Sequence, residues 1–215
     1  MPKPGNTPSL AKPLLVMLAL MAAIGATGLQ LYRHYEGETR QAAQELVSAV
    51  AEQKTQTIEI WLDGHAAAAN QLRTAPALRE SVAQLVMRRD ARALPRIRQI
   101  LDPERWSIQS ALLLDPQGAA FISVGPLNQV SGELRDQVRA VAATGIAQMH
   151  FLHRDRDTPG NPIFLDYLVP LTAPEGSAGP IAVLVLRHDP KKFFFPLIQT
   201  WPGSSESAES LLVRR

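Results

Sequence analysis

The run Leu14 to Leu29 constrains this chain more than any other feature, because no residue in it carries a charge. Extended to Tyr32, it would cover about 28 Å at the helical rise, close to the roughly 30 Å of hydrocarbon in a bilayer. A soluble helix of that length would show a polar face, and none is visible here. Lys3, Lys12 and the free amino group precede the run, and Tyr32, Arg33 and His34 follow it. Basic tails stay in the cytoplasm, which places Arg33 onward outside the cell membrane. Ala26-Thr27-Gly28 could serve as a cleavage site, so a removed secretory signal is the alternative. The length of the run, and the helical sequence that continues beyond it, favour an uncleaved anchor. The expected organisation is a cytoplasmic tail over 1–12, a membrane span over 13–32 and an extracytoplasmic domain from 33 onward.

About 180 residues follow the span, enough for one ordinary domain with its own core. Cysteine is absent, which excludes a disulfide framework, a thiolate metal site and a cysteine nucleophile, and suits a periplasm. The formal charge is only +2. Arg88, Arg89, Arg92, Arg96 and Arg98 cluster, but Asp90, Asp102 and Glu104 are interleaved, so a solvated helix face is expected and nucleic acid is not.

From Gln30 to about Leu72 apolar residues recur at three- and four-residue steps without a proline, which predicts one long helix leaving the membrane. Its stripe could face a second copy, so a homodimer through this helix is expected. Helices over Ala77 to Met87 and Leu94 to Leu101 follow, with Pro95 in the first turn of the latter. At Asp102-Pro103 the period shifts to that of strands. Ser107 to Leu114 and Ala119 to Val124 flank the turn Asp115-Pro116-Gln117-Gly118 as a hairpin. Ser131 can cap a helix from Gly132 to Ala143 with Gly145 behind it. Strands over Gln148 to His153, Pro162 to Leu171 and Pro180 to Arg187 complete an α+β arrangement: a long helix packed on a five-stranded antiparallel sheet, with a crossover helix after the second strand.

With that order on the page, Leu168-Val169-Pro170-Leu171, Pro180 to Arg187, Asp189-Pro190 and Phe194 to Pro202 carry a resemblance. The sequence resembles the extracytoplasmic Cache domain, the PAS-like sensor of bacterial receptors. In particular it is similar to the first module of double Cache sensors fused to histidine kinases or diguanylate cyclases. The resemblance implies a periplasmic sensor on the inner membrane, signalling in a two-component manner, with a ligand on the concave face of the sheet beneath the loops and crossover helix. It implies no cofactor. It also implies that residues 203–215 are a linker opening a second module that this sequence lacks, so a truncated receptor is the expectation, with kinase or cyclase output elsewhere.

Chemistry-bearing motifs are otherwise sparse. No Gly-x-Ser-x-Gly elbow, phosphate loop or His-Glu-x-x-His occurs, so no enzyme is expected. His150 and His153 lie three apart in a predicted strand and are expected on opposite sides of the sheet, which argues against a metal site. In the strand from Pro162, alternation separates Ile163, Leu165, Tyr167 and Val169 from Phe164, Asp166 and Leu168. Asp166 among apolar neighbours needs a cation, a ligand amine or water. Arg105, Trp106, His153, Arg154, Asp166 and Tyr167 are the candidate ligand-binding residues, suited by charge and aromatic contact to an amino acid, an amine or a carboxylate. The alternatives are that Trp106 and Tyr167 are core, that Arg154 pairs with Asp155, and that Asp166 pairs with a neighbouring arginine. An empty pocket would leave a periplasmic protein–protein interaction module.

Overall fold

The computed structural model describes residues 11–126, 130–174 and 179–200. Most of the N-terminal tail and all of 203–215, with the linker expected there, lie outside the described residues. The chain divides into two compact units, Met1–Gln53 and Lys54–Arg215.

Helix α1, Ala11–Thr74, is continuous through the boundary between the units. In the first unit it is long and apolar enough to cross a membrane. Leu14, Leu18, Met21 and Ile24 are all more than half exposed on it, as a lipid-facing stretch requires. Thr27, a polar residue of this stretch, donates its hydroxyl to the Ala23 carbonyl at 2.8 Å, so it makes no demand on a partner outside the helix. Beyond the apolar run the surface turns to pairs one helical turn apart, Glu36 with Arg40 at 2.7 Å and His34 with Glu38 at 3.3 Å.

In the second unit α1 ends at Thr74, and α2 (Pro76–Met87) starts with a proline in its first turn, where a missing N–H costs nothing. A single 3-10 turn, Ala91–Ala93, is capped by Asp90 and leads into α3 (Leu94–Ile100). The expected change to strand at Pro103 is delayed. Asp102 accepts the Glu104 amide at 3.2 Å and caps a short helix, α4 (Pro103–Trp106), which Ser107 closes with φ +52°. Strand β1 therefore begins at Ser110, not Ser107, and runs to Leu114. Its turn to β2 (Ala120–Val124) is held by Asp115, whose side chain accepts the amides of Gln117 and Ala119. Helix α5 (Gly132–Thr144) has the expected ends: Ser131 accepts the Leu134 amide, and Gly145 adopts φ +67°. Strands β3 (Gln148–Arg154), β4 (Ile163–Thr172) and β5 (Pro180–His188) follow, then a helix not foreseen, α6 (Phe194–Gln199).

The five strands form one antiparallel sheet in the order β2-β1-β5-β4-β3. Strand β5 is central, which explains its apolar run from Ile181 to Leu186: both faces are covered. Ala111, Leu113, Val169, Leu171, Leu184 and Leu186 face one way, onto Ala69 and Leu72 of α1, Leu78 and Val82 of α2, and Ile97 of α3. Leu112, Leu114, Leu168, Val183 and Val185 face the other way, onto Leu134, Val138 and Val141 of α5. The α+β architecture expected from the sequence is the one observed.

Candidate functional site

Alternation along β4 and β5 puts Asp166 and Arg187 on the α5 face, directly opposite one another in the ladder. Both are fully buried. The Arg187 guanidinium donates to both Asp166 oxygens, at 2.8 and 2.7 Å, and lies over the Phe164 ring at 4.4 Å. Burial alone would push the Asp166 carboxyl up. The bonds from Arg187 and the nearby His153 outweigh it and hold the group below the usual carboxylate range. Burial opposes the charge of Arg187 as well, but Asp166 and then Asp155 raise it above its ordinary value.

Two further groups complete the cluster. His153 Nε2 stands 3.3 Å from Asp166, and buried Asp155 stands 3.8 Å from the Nη1 of Arg187. Asp155 is fixed by its own loop, accepting from the Asp157 amide and the Thr158 hydroxyl. Asp157 in turn accepts the Gly132 amide at 3.0 Å, which seats the β3–β4 loop on the first turn of α5. These bonds leave a remainder: Arg187 Nη1 and His153 Nδ1 are buried without a hydrogen-bond partner among the described residues, and His153 Nε2 has only its long contact to Asp166.

The expectation that His150 and His153 face opposite sides is corrected. The ladder pairs His150 with Asp166 and His153 with Phe164, so three steps along β3 match two along β4. One residue is extra, and Leu152 takes φ +33° beside it. This bulge restores both histidines to the same face, where their rings stack with centroids 3.9 Å apart. Among the described residues no group of three or more His, Cys, Asp or Glu is placed to hold a metal ion.

Of the six candidate residues, the cluster therefore gathers Asp166 and His153. Arg154 is exposed and donates to the Asn161 carbonyl, not to Asp155. Tyr167 pairs with Leu186 on the opposite face and lines a cavity of about 390 Å³ with Ala66, Asn70 and Arg73. Trp106 packs on the core of that same face, its indole N–H bonded to the Ile100 carbonyl at 2.7 Å. Exposed Arg105 rests over its ring at 5.7 Å. The cluster members not foreseen were Arg187 and Asp155. Arg187 had a readable signal, a cation closing an apolar run that alternation turns inward.

No protein-family model and no curated protein matches the sequence. The structure is similar to the sensor domain of the V. cholerae histidine kinase DctB, with a TM-score of 0.55 and 15% identity over 77% of this chain and 61% of that one. The chain shares the fold of that domain. Lower similarity is found to the ligand-binding domain of the Pseudomonas fluorescens chemoreceptor CtaA in complex with L-serine, with a TM-score of 0.46 and 10% identity over 71% of this chain and 61% of that one. The Pseudomonas aeruginosa PAO1 amino acid chemoreceptor PctC, in complex with GABA, gives a TM-score of 0.42 and 15% identity over 66% and 60%. The chain spans about three-fifths of the length of each. The Cache-type architecture implied by the sequence resemblance agrees with the DctB likeness.

Proposed function

We propose that this chain is the membrane-anchored sensor module of a bacterial receptor, with residues 13–32 as the span and 33–202 as the extracytoplasmic domain. It has no catalytic role of its own. A small polar ligand of the amino acid, amine or carboxylate class binds on the α5 face, and the signal passes along α1. The observation that carries this reading is the incompletely bonded cluster around Asp166. Buried polar atoms without partners cost about 1–3 kcal/mol each, so Arg187 Nη1 and His153 Nδ1 mark a place where a polar guest is stabilising. Arg187 suits a carboxylate and the two aspartates suit an amine.

Relay follows from continuity. Leu186 and Arg187 are neighbours on β5, one facing the core that α1 helps to build and the other facing the cluster. A guest that reorients Arg187 shifts the strand by which α1 is packed, and α1 is the helix that carries the apolar span. Exposed Leu46 and Val47 on α1 supply the surface for pairing with a second copy.

The test is a thermal-shift titration of the full chain in detergent against amino acids, carboxylates, amines and purines. A saturable rise in melting temperature, lost in Asp166→Asn with far-UV dichroism unchanged, is expected. Silence across all four classes would sink the ligand reading. A response indifferent to Asp166 would move it off this face.

A further inference from the structure

Across the sheet from the Asp166 cluster, a cavity opens where α1 passes β4. It measures about 390 Å³, within the range of small-molecule sites. Ala66 and Ala69 of α1 and Val169 of β4 supply apolar walls, and the connector from α5 to β3 closes one side. Alternation keeps the two places apart: Asp166 faces α5, so Tyr167, the next residue of β4, lines this cavity instead.

The polar groups here are open to a guest. Arg73 is exposed and donates from its Nε to the Asn70 side-chain oxygen at 3.1 Å. Its two terminal nitrogens have no partner among the described residues, and neither has the hydroxyl of half-buried Tyr167. Against these donors the acceptors are few. The Asn70 oxygen is already taken by Arg73, and no Asp or Glu stands among the described residues of the lining. Helices α1 and α5 both end nearby, and their last carbonyls would oppose an anion. Several of these are engaged locally: Asn70 accepts from the Thr74 hydroxyl at 2.9 Å, Ala140 from the Thr144 hydroxyl at 3.0 Å and Val141 from the Gly145 amide at 2.9 Å. The connector also spends the Ile146 amide on the Thr144 hydroxyl. What remains is a whole guanidinium charge presenting a fork of donors, the geometry that a carboxylate matches.

One cation beside apolar walls favours a single carboxylate over a phosphate, whose second charge would find no partner here. Ile146 in the lining is 64% exposed, and Met149, opposite Tyr167 in the ladder, is exposed as well. Covering such side chains rewards an apolar body on the guest.

We propose that this cavity binds a small monocarboxylate with an apolar body, its carboxylate on Arg73 and its body against Ala66, Ile146 and Val169. The site borders α1 directly and stands whether or not the Asp166 face takes a ligand.

Isothermal titration of the full chain in detergent with benzoate tests it, with benzamide as the uncharged control of equal shape and acetate as the control without a ring. Saturable binding of benzoate is expected, at least about tenfold tighter than benzamide, since a charge-assisted hydrogen bond is worth about that factor. Acetate should be weaker by at least about tenfold, for want of apolar area to bury. Arg73→Gln should weaken benzoate about tenfold, and Ala66→Leu, which fills the space without touching the charge, should abolish binding. Arg73 is exposed, so its variant keeps the test open if Ala66→Leu does not fold. Asp166→Asn should leave benzoate binding unchanged. No saturable binding, benzamide or acetate equal to benzoate, or indifference to Arg73→Gln would each overturn the proposal. Loss in Asp166→Asn with Arg73→Gln unaffected would overturn it too, by assigning benzoate to the α5 face.

Discussion

The two faces of this sheet handle burial of polar groups in opposite ways. On the α5 face, full charges are taken inside and matched: Asp166 and Arg187 share two hydrogen bonds, with Asp155 and His153 behind them. On the α1 face, charge stays at the mouth while neutral His188 and Gln109 line a cavity with aromatic walls. Both arrangements grow from one strand, at adjacent residues. Paired charges fix a geometry, because moving either partner strands the other.

That contrast can be broken most forcefully at Arg187. Arg187→Met leaves Asp166 and Asp155 buried without their cation and should cost about 3–5 kcal/mol, read as a drop in denaturant midpoint of the full chain. Adding Asp166→Leu should recover part of the loss; no recovery would mean that the pair is not the source of the cost. On the opposite face, fully buried Leu184→Ala should cost about 2–5 kcal/mol through lost contact and a residual cavity. A cost below about 1 kcal/mol would show that the helix side of the core is loosely packed.

Acid tests His188 and Asp166 separately. His188 binds its proton near the ordinary 6.5 when unfolded and only near about 4 when folded. Stability is therefore full above 6.5 and declines as pH falls from there to about 4, at about 1.4 kcal/mol per unit. Asp166, held below its ordinary 3.8, contributes stability that persists down to that value and is lost only below it. His188→Phe should therefore flatten the slope of stability against pH between 6.5 and about 4. An unchanged slope would remove His188 from the account. The smallest effect is local: Ser131→Ala deletes the cap of α5 and should cost about 1 kcal/mol, with the β3–β4 loop loosened as seen by hydrogen exchange at Gly132.

Much of this fold was legible because its signals are local. Ser131 and Gly145 mark the ends of α5 through their own cap chemistry, and Asp115 to Gly118 marks the hairpin through its turn residues. The short helix at Pro103 escaped notice because a four-residue segment offers too little periodicity to read. At the site, alternation on β4 already separated Asp166 from Tyr167, and the structure keeps them on opposite faces. Trp106 was drawn in as an aromatic near charges, yet its N–H is spent on the Ile100 carbonyl, a bond between segments that spacing cannot foresee.

The sequence alone determined the apolar span of α1, the two-sided burial of β5 and the need of Asp166 for a partner, because each follows from residue type and a period of a few positions. Tertiary structure decided who that partner is. Strand register sets Arg187 across from Asp166, a single extra residue near Leu152 turns His150 and His153 to the same side, and the space left beside α1 is a cavity that His188 and Gln109 line. Register and gaps depend on how distant segments fit together, and a slip of one residue reverses every face.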